Sequence, residues 1–274
     1  MLQTDVPPVR RRTGLRAALG RARPGARPLR FQTVTTTAAA RQVAALGLDG
    51  VHVTAATAGM EEPVALTARI VRATPLPVLV DLGGDGDADD VARFESAGAS
   101  GVHLDDTDPA DHAADDVAAR VRAAVRVRHD PDLLIGVRTT AGAAGGLIET
   151  IDRARACVGA GADVIVVEAP VSRTAYTVLR EALAVPLLVT ATTVTGGDPT
   201  PVLLPTVTQL AALGMDVVIH PVTGPRAPAA TDRGRRDPRD AGTPRGPAGA
   251  LPPGAHGGDR TRDRAAAPAG GGHR

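Results

Sequence analysis

Eight short runs rich in valine, leucine and isoleucine recur along the chain, and each is followed by a polar tip and an alanine- and arginine-rich stretch with helical character. Strands that alternate with helices are typical of α/β proteins, and eight such units close a (β/α)8 barrel of the TIM type. In that fold the functional residues lie where the strands end. The predicted strands are residues 29–34, 50–55, 77–82, 101–105, 133–139, 163–169, 186–191 and 216–222.

The barrel is predicted to span residues 29–223, between a basic arm with a short helix at residues 1–28 and a tail rich in Arg, Pro, Gly and Ala at residues 224–274. Leu251 is the only apolar residue of the tail larger than Ala or Pro. The tail therefore cannot bury enough surface to offset the entropy of ordering, and it is predicted to be disordered. Because no amphipathic pattern follows Val222, the barrel is predicted to lack a regular eighth helix.

Charge and composition exclude several classes of function. The chain has no lysine and no asparagine, so acids, arginines, threonines and histidines must carry any chemistry. Both ends are basic, but they lack interleaved aromatic residues, and nucleic-acid binding is not expected. No apolar run reaches the roughly 18 residues of a membrane helix, and a cytoplasmic protein is predicted. The lone Cys157 is expected to be a buried structural thiol.

Polar residues close most of the apolar runs. Because successive side chains of a strand face opposite ways, the inward residues at the strand ends are predicted to form a ring at the mouth of the barrel. Carboxylates in such a ring suit a hydrated Mg2+ ion, and an arginine suits a substrate carboxylate or phosphonate. The ring consists of Thr54, Asp81, Asp105, Arg138, Glu168, Thr190 and Thr192.

Structural roles stay open for some of these residues and their neighbours. Arg138 could form a salt bridge with Glu168 instead of binding a ligand. His103 shares the inward face with Asp105, and we expect it to be a hydrogen-bonded residue of the inner layer and not a metal ligand. Asp106 is expected to cap the helix that follows its strand.

Six segments of the chain share their motifs and order with one enzyme superfamily, and also their spacing except for two shortened loops. They are residues 76–81 (LPVLVD), 97–106 (AGASGVHLDD), 137–139 (VRT), 160–165 (AGADVI), 167–169 (VEA) and 218–222 (VIHPV). Over about residues 13–226 the chain resembles the isocitrate lyase and phosphoenolpyruvate mutase superfamily, and most of all its methylisocitrate lyases and phosphonomutases.

The resemblance implies a Mg2+-dependent barrel, with Mn2+ as the alternative ion, that makes or breaks C–C or P–C bonds of small 2-oxo or phosphono acids through an enolate. It implies metal-site roles for Asp81 and for Asp105, which replaces a glutamate one methylene longer. Catalytic roles fall to Arg138 and Glu168. The substrate-binding residues predicted from the ring and the resemblance together are Thr54, Ala55, Arg138, Thr190 and Thr192.

The chain also departs from the family pattern. The second metal-site aspartate is lost unless Asp85 or Asp87 takes its place, and the short segment 107–114 lacks the Lys and Cys of the family's gating loop. Loss of a general acid costs ~10^2–10^4 in rate, so altered or weak activity is expected. The alternative is a catalytically inactive homologue or the product of a frameshifted gene. A missing eighth helix leaves a homo-oligomer open but argues against assembly by helix exchange.

Overall fold

Eight parallel strands close into a barrel in the order of the chain, with β1 paired to both β2 and β8. This closure confirms the (β/α)8 architecture that the eightfold repeat predicts. Each strand lies inside the run predicted for it. The strands are β1 (Leu29–Thr33), β2 (Gly50–Thr54), β3 (Val78–Asp81), β4 (Gly101–Asp105), β5 (Leu134–Thr139), β6 (Val164–Glu168), β7 (Leu187–Thr190) and β8 (Val217–His220).

The computed structural model describes residues 6–21, 25–54, 62–84, 86–106, 114–139, 146–168, 172–191 and 205–221. All of them belong to one unit, Met1–Ala227, while Pro228–Arg274 form a second unit beyond the described residues. The predicted loss of a helix after β8 and the predicted disorder of the tail also lie outside the described residues. The boundaries proposed for the arm, barrel and tail therefore stay predictions.

Helices alternate with the strands, and several of them begin at a residue whose side chain caps the N-terminus of the helix. Asp87 and Ser172 each accept a hydrogen bond from the backbone N–H three residues on, and Thr206 forms a capping box with Gln209. None of the helices in the described part of the chain combines the length and apolar character that crossing a bilayer requires. The helices are α1 (Pro8–Gly20), α2 (Thr37–Ala45), α3 (Pro63–Ala73), α4 (Ala88–Ser96), α5 (Ala114–Val127), α6 (Gly146–Gly159), α7 (Arg173–Ala182) and α8 (Val207–Ala212).

The apolar core has two layers, as the alternation of strand side chains requires. Outward residues such as Val80 and Val167 pack under the helices, and inward residues fill the interior of the barrel. Glycine makes room for the larger inward side chains, since a Cβ at Gly50 would lie 2.1 Å from the Phe31 ring. The inward cluster consists of Leu15, Leu19, Phe31, Leu79, Leu134, Val164, Val166, Leu188, Val217 and Ile219.

Helix α1 closes the end of the barrel opposite to the C-terminal ends of the strands. Leu15 and Leu19 pack on the inward cluster, and Arg12 is buried. The Arg12 side chain donates from Nε to Ala99 O at 2.8 Å and from Nη2 to Glu95 O at 2.6 Å. This arginine of the predicted basic arm therefore stabilises the barrel itself.

Cys157 is buried on α6, as expected for a structural thiol. Burial, together with the charge of Asp106, raises the pKa of the thiol to about 12. The thiol is thus protonated at neutral pH, and a protonated thiol is a poor nucleophile.

Candidate active site

Six strands each place one residue of the predicted ring at or next to their C-terminal ends. Strands β2, β3, β4, β6 and β7 end on such a residue, and β5 carries one immediately before its last residue. The register pairs these residues across neighbouring strands. The pairs are Thr54 with Asp81, Asp105 with Arg138, and Glu168 with Thr190.

Arg138 lies at the centre of the site because it contacts two buried carboxylates. Its Nη2 donates a short hydrogen bond to Asp105 Oδ2, and its Nη1 lies 3.6 Å from Asp81 Oδ2. The exposed fractions of Asp81 and Asp105 are 3% and 2%, whereas 21% of the Arg138 side chain remains exposed. The guanidinium therefore contacts two buried carboxylates while part of its surface stays open to solvent.

The carboxylate of Asp81 is held by the turn that follows its strand. Gly83 adopts a φ of +74°, and its N–H donates to Asp81 Oδ1 at 3.0 Å. Burial alone would raise the pKa of Asp81, but electrostatic interactions with His103 and Arg138 and this hydrogen bond outweigh it and lower the pKa. Asp81 is thus ionised at neutral pH, the form in which a carboxylate binds a cation.

Two histidines next to the ring form a pair inside the barrel. The Nε2 atoms of His52 and His103 lie 3.0 Å apart, with 9° between the ring planes and 5.3 Å between the ring centroids. The two rings are nearly parallel, and their centroids lie further apart than their Nε2 atoms do by about the width of one ring. The rings therefore face each other edge to edge through these nitrogens, as in an N–H···N hydrogen bond. Burial lowers the pKa of both, that of His52 to about 3, so both are uncharged at neutral pH.

The histidine pair connects the first strand of the barrel to Asp81. Thr33 Oγ1 lies 3.0 Å from His52 Nδ1, and Asp81 Oδ1 lies 3.6 Å from His103 Nδ1. His103 is therefore a hydrogen-bonded residue of the inner layer, as the sequence indicates. Its partner His52 fixes the ring that faces Asp81.

Arg120 on α5 ties the turn after β3 to the end of β4. Its Nη1 donates to Asp105 O at 3.0 Å, and its Nη2 donates to Gly84 O at 2.8 Å and to Gly86 O at 2.7 Å. These carbonyls belong to the segments that carry Asp81 and Asp105. Arg120 therefore positions the backbone around both carboxylates.

Asp106 is buried, and its Oδ2 lies 3.3 Å from Nε of Arg153. The residues between Asp106 and Ala114, the first residue of α5, lie outside the described part of the chain, so the capping role predicted for Asp106 stays a prediction. Asp87, one of the two candidates for the second metal-site aspartate, caps α4 by accepting from the Asp90 N–H at 3.0 Å. The carboxylate of Asp87 thus serves the start of a helix.

Several predicted residues lie outside the described part of the chain. They include Ala55, Asp85 and Thr192, and for Glu168 the backbone alone is described. The roles predicted for them stay predictions, as does a salt bridge between Arg138 and Glu168. Thr54 and Thr190 are half-buried at the strand ends, where a ligand in the mouth could reach them.

Sequence reasoning missed His52 and Thr33. His52 precedes Thr54 by two residues, so alternation along β2 already puts both on the inward face. A titratable side chain at an inward position near a carboxylate is the signal that could have found it. Thr33 carries the same signal as the ring residues, since it is the last residue of its strand.

The described residues fit a divalent cation. Asp105 Oδ1 is buried and has no hydrogen-bond partner within the described ranges, and hard carboxylate oxygens suit Mg2+, which keeps several waters. His52, Asp81 and His103 also bring three potential ligand atoms within 4.8 Å of one another. The facing imidazole nitrogens are already joined by a hydrogen bond, however, so Asp81 and Asp105 offer the better donors.

The chain matches the family model of phosphoenolpyruvate phosphomutase over residues 18–231. It is 32% identical over 250 residues to a Corynebacterium glutamicum protein named Probable 2-methylisocitrate lyase 2, covering 81% of this chain and 78% of that protein. It is 38% identical over 178 residues to the 2-methylisocitrate lyase of Vibrio cholerae, covering 58% of this chain and 57% of that protein.

A solved structure of oxaloacetate acetylhydrolase in complex with the product oxalate superposes with a TM-score of 0.67 at 25% identity, covering 79% of this chain and 81% of that one. All six segments that carry the resemblance in the sequence lie within the matched residues 18–231. The chain therefore belongs to the phosphoenolpyruvate mutase and isocitrate lyase superfamily.

Proposed function

We propose that this protein is an enzyme that uses a divalent ion to make or break a C–C or P–C bond in a small 2-oxo or phosphono acid through an enolate, with altered or weak activity. The observation that carries the proposal is the contact of one partly exposed arginine, Arg138, with two buried aspartates at the barrel mouth. A cation site beside a guanidinium is an arrangement that can grip an oxo-acid and stabilise an enolate oxygen. The proposal places this activity in the cytoplasm.

Each residue of the site has a role in this proposal. Asp81 and Asp105 bind Mg2+, with Mn2+ as the alternative, and the bound ion supplies positive charge next to the developing enolate. Arg138 binds the substrate carboxylate or phosphonate through its two Nη atoms. Glu168 is the second catalytic residue. The remaining contacts to substrate are assigned to Thr54, Ala55, Thr190 and Thr192.

Calorimetric titration of oxalate, a mimic of the pyruvate enolate, tests the proposal. Oxalate is expected to bind when Mg2+ is present, and the Asp81→Ala variant is expected to lose at least about 100-fold in affinity because it removes a metal ligand. Asp89→Ala is the matched control, since Asp89 is exposed on α4 and carries the same charge. If a folded wild-type protein binds no oxalate in the presence of Mg2+, the proposal is wrong.

A catalytically inactive homologue is the second candidate, favoured by the absence of Lys and Cys from segment 107–114. The names of the relatives suggest 2-methylisocitrate and oxaloacetate as first substrates to assay. Mg2+-dependent oxalate binding without turnover of either compound or of a phosphonate analogue would favour this candidate. Release of pyruvate or oxalate that disappears in Asp81→Ala would exclude it.

A further inference from the structure

The acidic groups of the site outnumber the basic group that they contact. Asp81 and Asp105 are both almost completely buried, and in the part of the chain that the structure describes they share the guanidinium of Arg138. Two carboxylates that face one guanidinium leave this cluster with one more negative than positive charge. Such a site disfavours an anionic ligand as long as it holds no further cation.

We infer that Arg138 is a competitor of the divalent ion: it pairs with the two carboxylates that the ion needs, and it becomes available to an anionic oxo-acid only when the ion displaces it. This inference rests on the proposed function and concerns the order of binding. The ion binds first, and the anion binds second. Arg138 passes from Asp105 to the incoming carboxylate.

The geometry of the three side chains supports this order. Asp105 Oδ2 accepts directly from Arg138, while Asp105 Oδ1 is buried without a hydrogen-bond partner among the described residues. Asp81 Oδ1 is held by the Gly83 N–H, so its Oδ2, which lies 3.6 Å from Arg138 Nη1, is the oxygen left for a cation. Arg138 therefore faces the Asp81 oxygen that is left for a cation and pairs with one of the two oxygens of Asp105.

Charge explains why the two binding events are coupled. A divalent ion on Asp81 and Asp105 changes the cluster from one excess negative charge to one excess positive charge. The same change weakens the hold of the carboxylates on Arg138, whose exposed side can then pair with an anion. By linkage, the factor by which the ion raises the affinity for the anion equals the factor by which the anion raises the affinity for the ion.

The Arg138→Gln variant tests the competition by calorimetric titration of Mg2+ alone. A cation near a carboxylate shifts its proton affinity by about 10- to 1000-fold, and the same field opposes Mg2+. We therefore expect Arg138→Gln to bind Mg2+ at least about tenfold more tightly than the wild type and to lose oxalate binding. Arg122→Gln is the matched control, because Arg122 is exposed on α5, and it should leave both affinities unchanged.

If the variant does not fold, titrations of the wild type with oxalate and with Mg2+ test the inference instead. Oxalate should bind far more weakly without Mg2+ than with it, and the factor by which Mg2+ raises the affinity for oxalate should equal the factor by which oxalate raises the affinity for Mg2+. Equal oxalate affinity with and without Mg2+, or Mg2+ binding in Arg138→Gln that is unchanged or weaker, would overturn the inference while leaving a metal site in place. If the wild type binds no Mg2+, the proposed function fails, and the inference fails with it.

Discussion

At the scale of single residues, the paired His52 and His103 make the free energy of unfolding depend on pH. Burial and the neighbouring His103 lower the pKa of His52 to about 3, whereas a histidine of the unfolded chain titrates near 6.5. Below pH 6.5 His52 is protonated in the unfolded chain but stays neutral in the folded protein. The free energy of unfolding is therefore highest above pH 6.5 and falls as the pH drops toward 3. For His52 alone we expect a loss of about 2 kcal/mol between pH 7 and pH 5.

Urea unfolding at pH 7 and pH 5 measures this loss, and a His52→Gln variant isolates it from the titration of the carboxylates. The variant should lose about 2 kcal/mol less than the wild type over this interval. His129→Gln is the control, since 84% of the His129 side chain is exposed, and it should behave like the wild type. An equal loss in the wild type and in His52→Gln would show that His52 is not buried in its neutral form.

The inward residues of the site could be predicted because their positions depend only on the alternation of side chains along each strand. Asp81 and Asp105 end apolar strands, and once the barrel is assumed, alternation places each on the inner face. Their pairing with Arg138 depends on the register between strands, and that register follows from loop lengths and from the shear of the closed barrel. A local pattern does not contain this information, and the contact of Asp105 with Arg138 was therefore not predicted.

At the scale of elements, Arg120 connects a helix to the turns that carry the carboxylates. We expect Arg120→Gln to weaken Mg2+ binding by about tenfold, because residues that support metal ligands commonly contribute 10- to 100-fold in affinity. The loss arises from freedom gained by the turn after β3, since Gly84 O and Gly86 O lose their donor. Calorimetric titration of Mg2+ measures the effect.

Arg122→Gln again serves as the control for a change of charge on the same helix. Arg120→Lys separates charge from geometry, because a lysine keeps the positive charge but lacks the planar fork that reaches several carbonyls. The lysine variant should therefore resemble Arg120→Gln. Mg2+ affinity that returns to the wild-type value in Arg120→Lys would mean that Arg120 acts through its charge and not by holding the turn.

Helix α1 contains a buried arginine that the sequence alone does not reveal. Two of the carbonyls that Arg12 contacts lie 83 and 87 residues further along the chain. Arg12 is buried because these carbonyls, together with the carboxylate of Asp130, satisfy its donors. Contacts over such sequence distances follow from the closed barrel and not from the composition of the arm.

At the scale of the whole molecule, the fold was the most predictable property because it depends on repetition. Eight apolar runs at similar spacing admit few arrangements, and a parallel barrel buries all of them between an inner and an outer layer. The scarcity of aromatic residues is consistent with this packing, since aliphatic side chains dominate both clusters. Small errors in single strand boundaries do not alter an architecture of this kind.

A chain that ends at Ala227 tests what Pro228–Arg274 contribute to the stability of the first unit. Leu251 is the only large apolar residue of this segment, so we expect its removal to leave one cooperative melting transition with a midpoint within about 2 °C of the full chain. Removing residues 1–20 is the contrasting change, because it takes Leu15 and Leu19 out of the inward cluster and should lower the midpoint far more. Calorimetry of the three chains decides the matter: a truncation at Ala227 that aggregates, or that melts more than about 5 °C lower, would mean that residues after Ala227 cover apolar surface of the barrel.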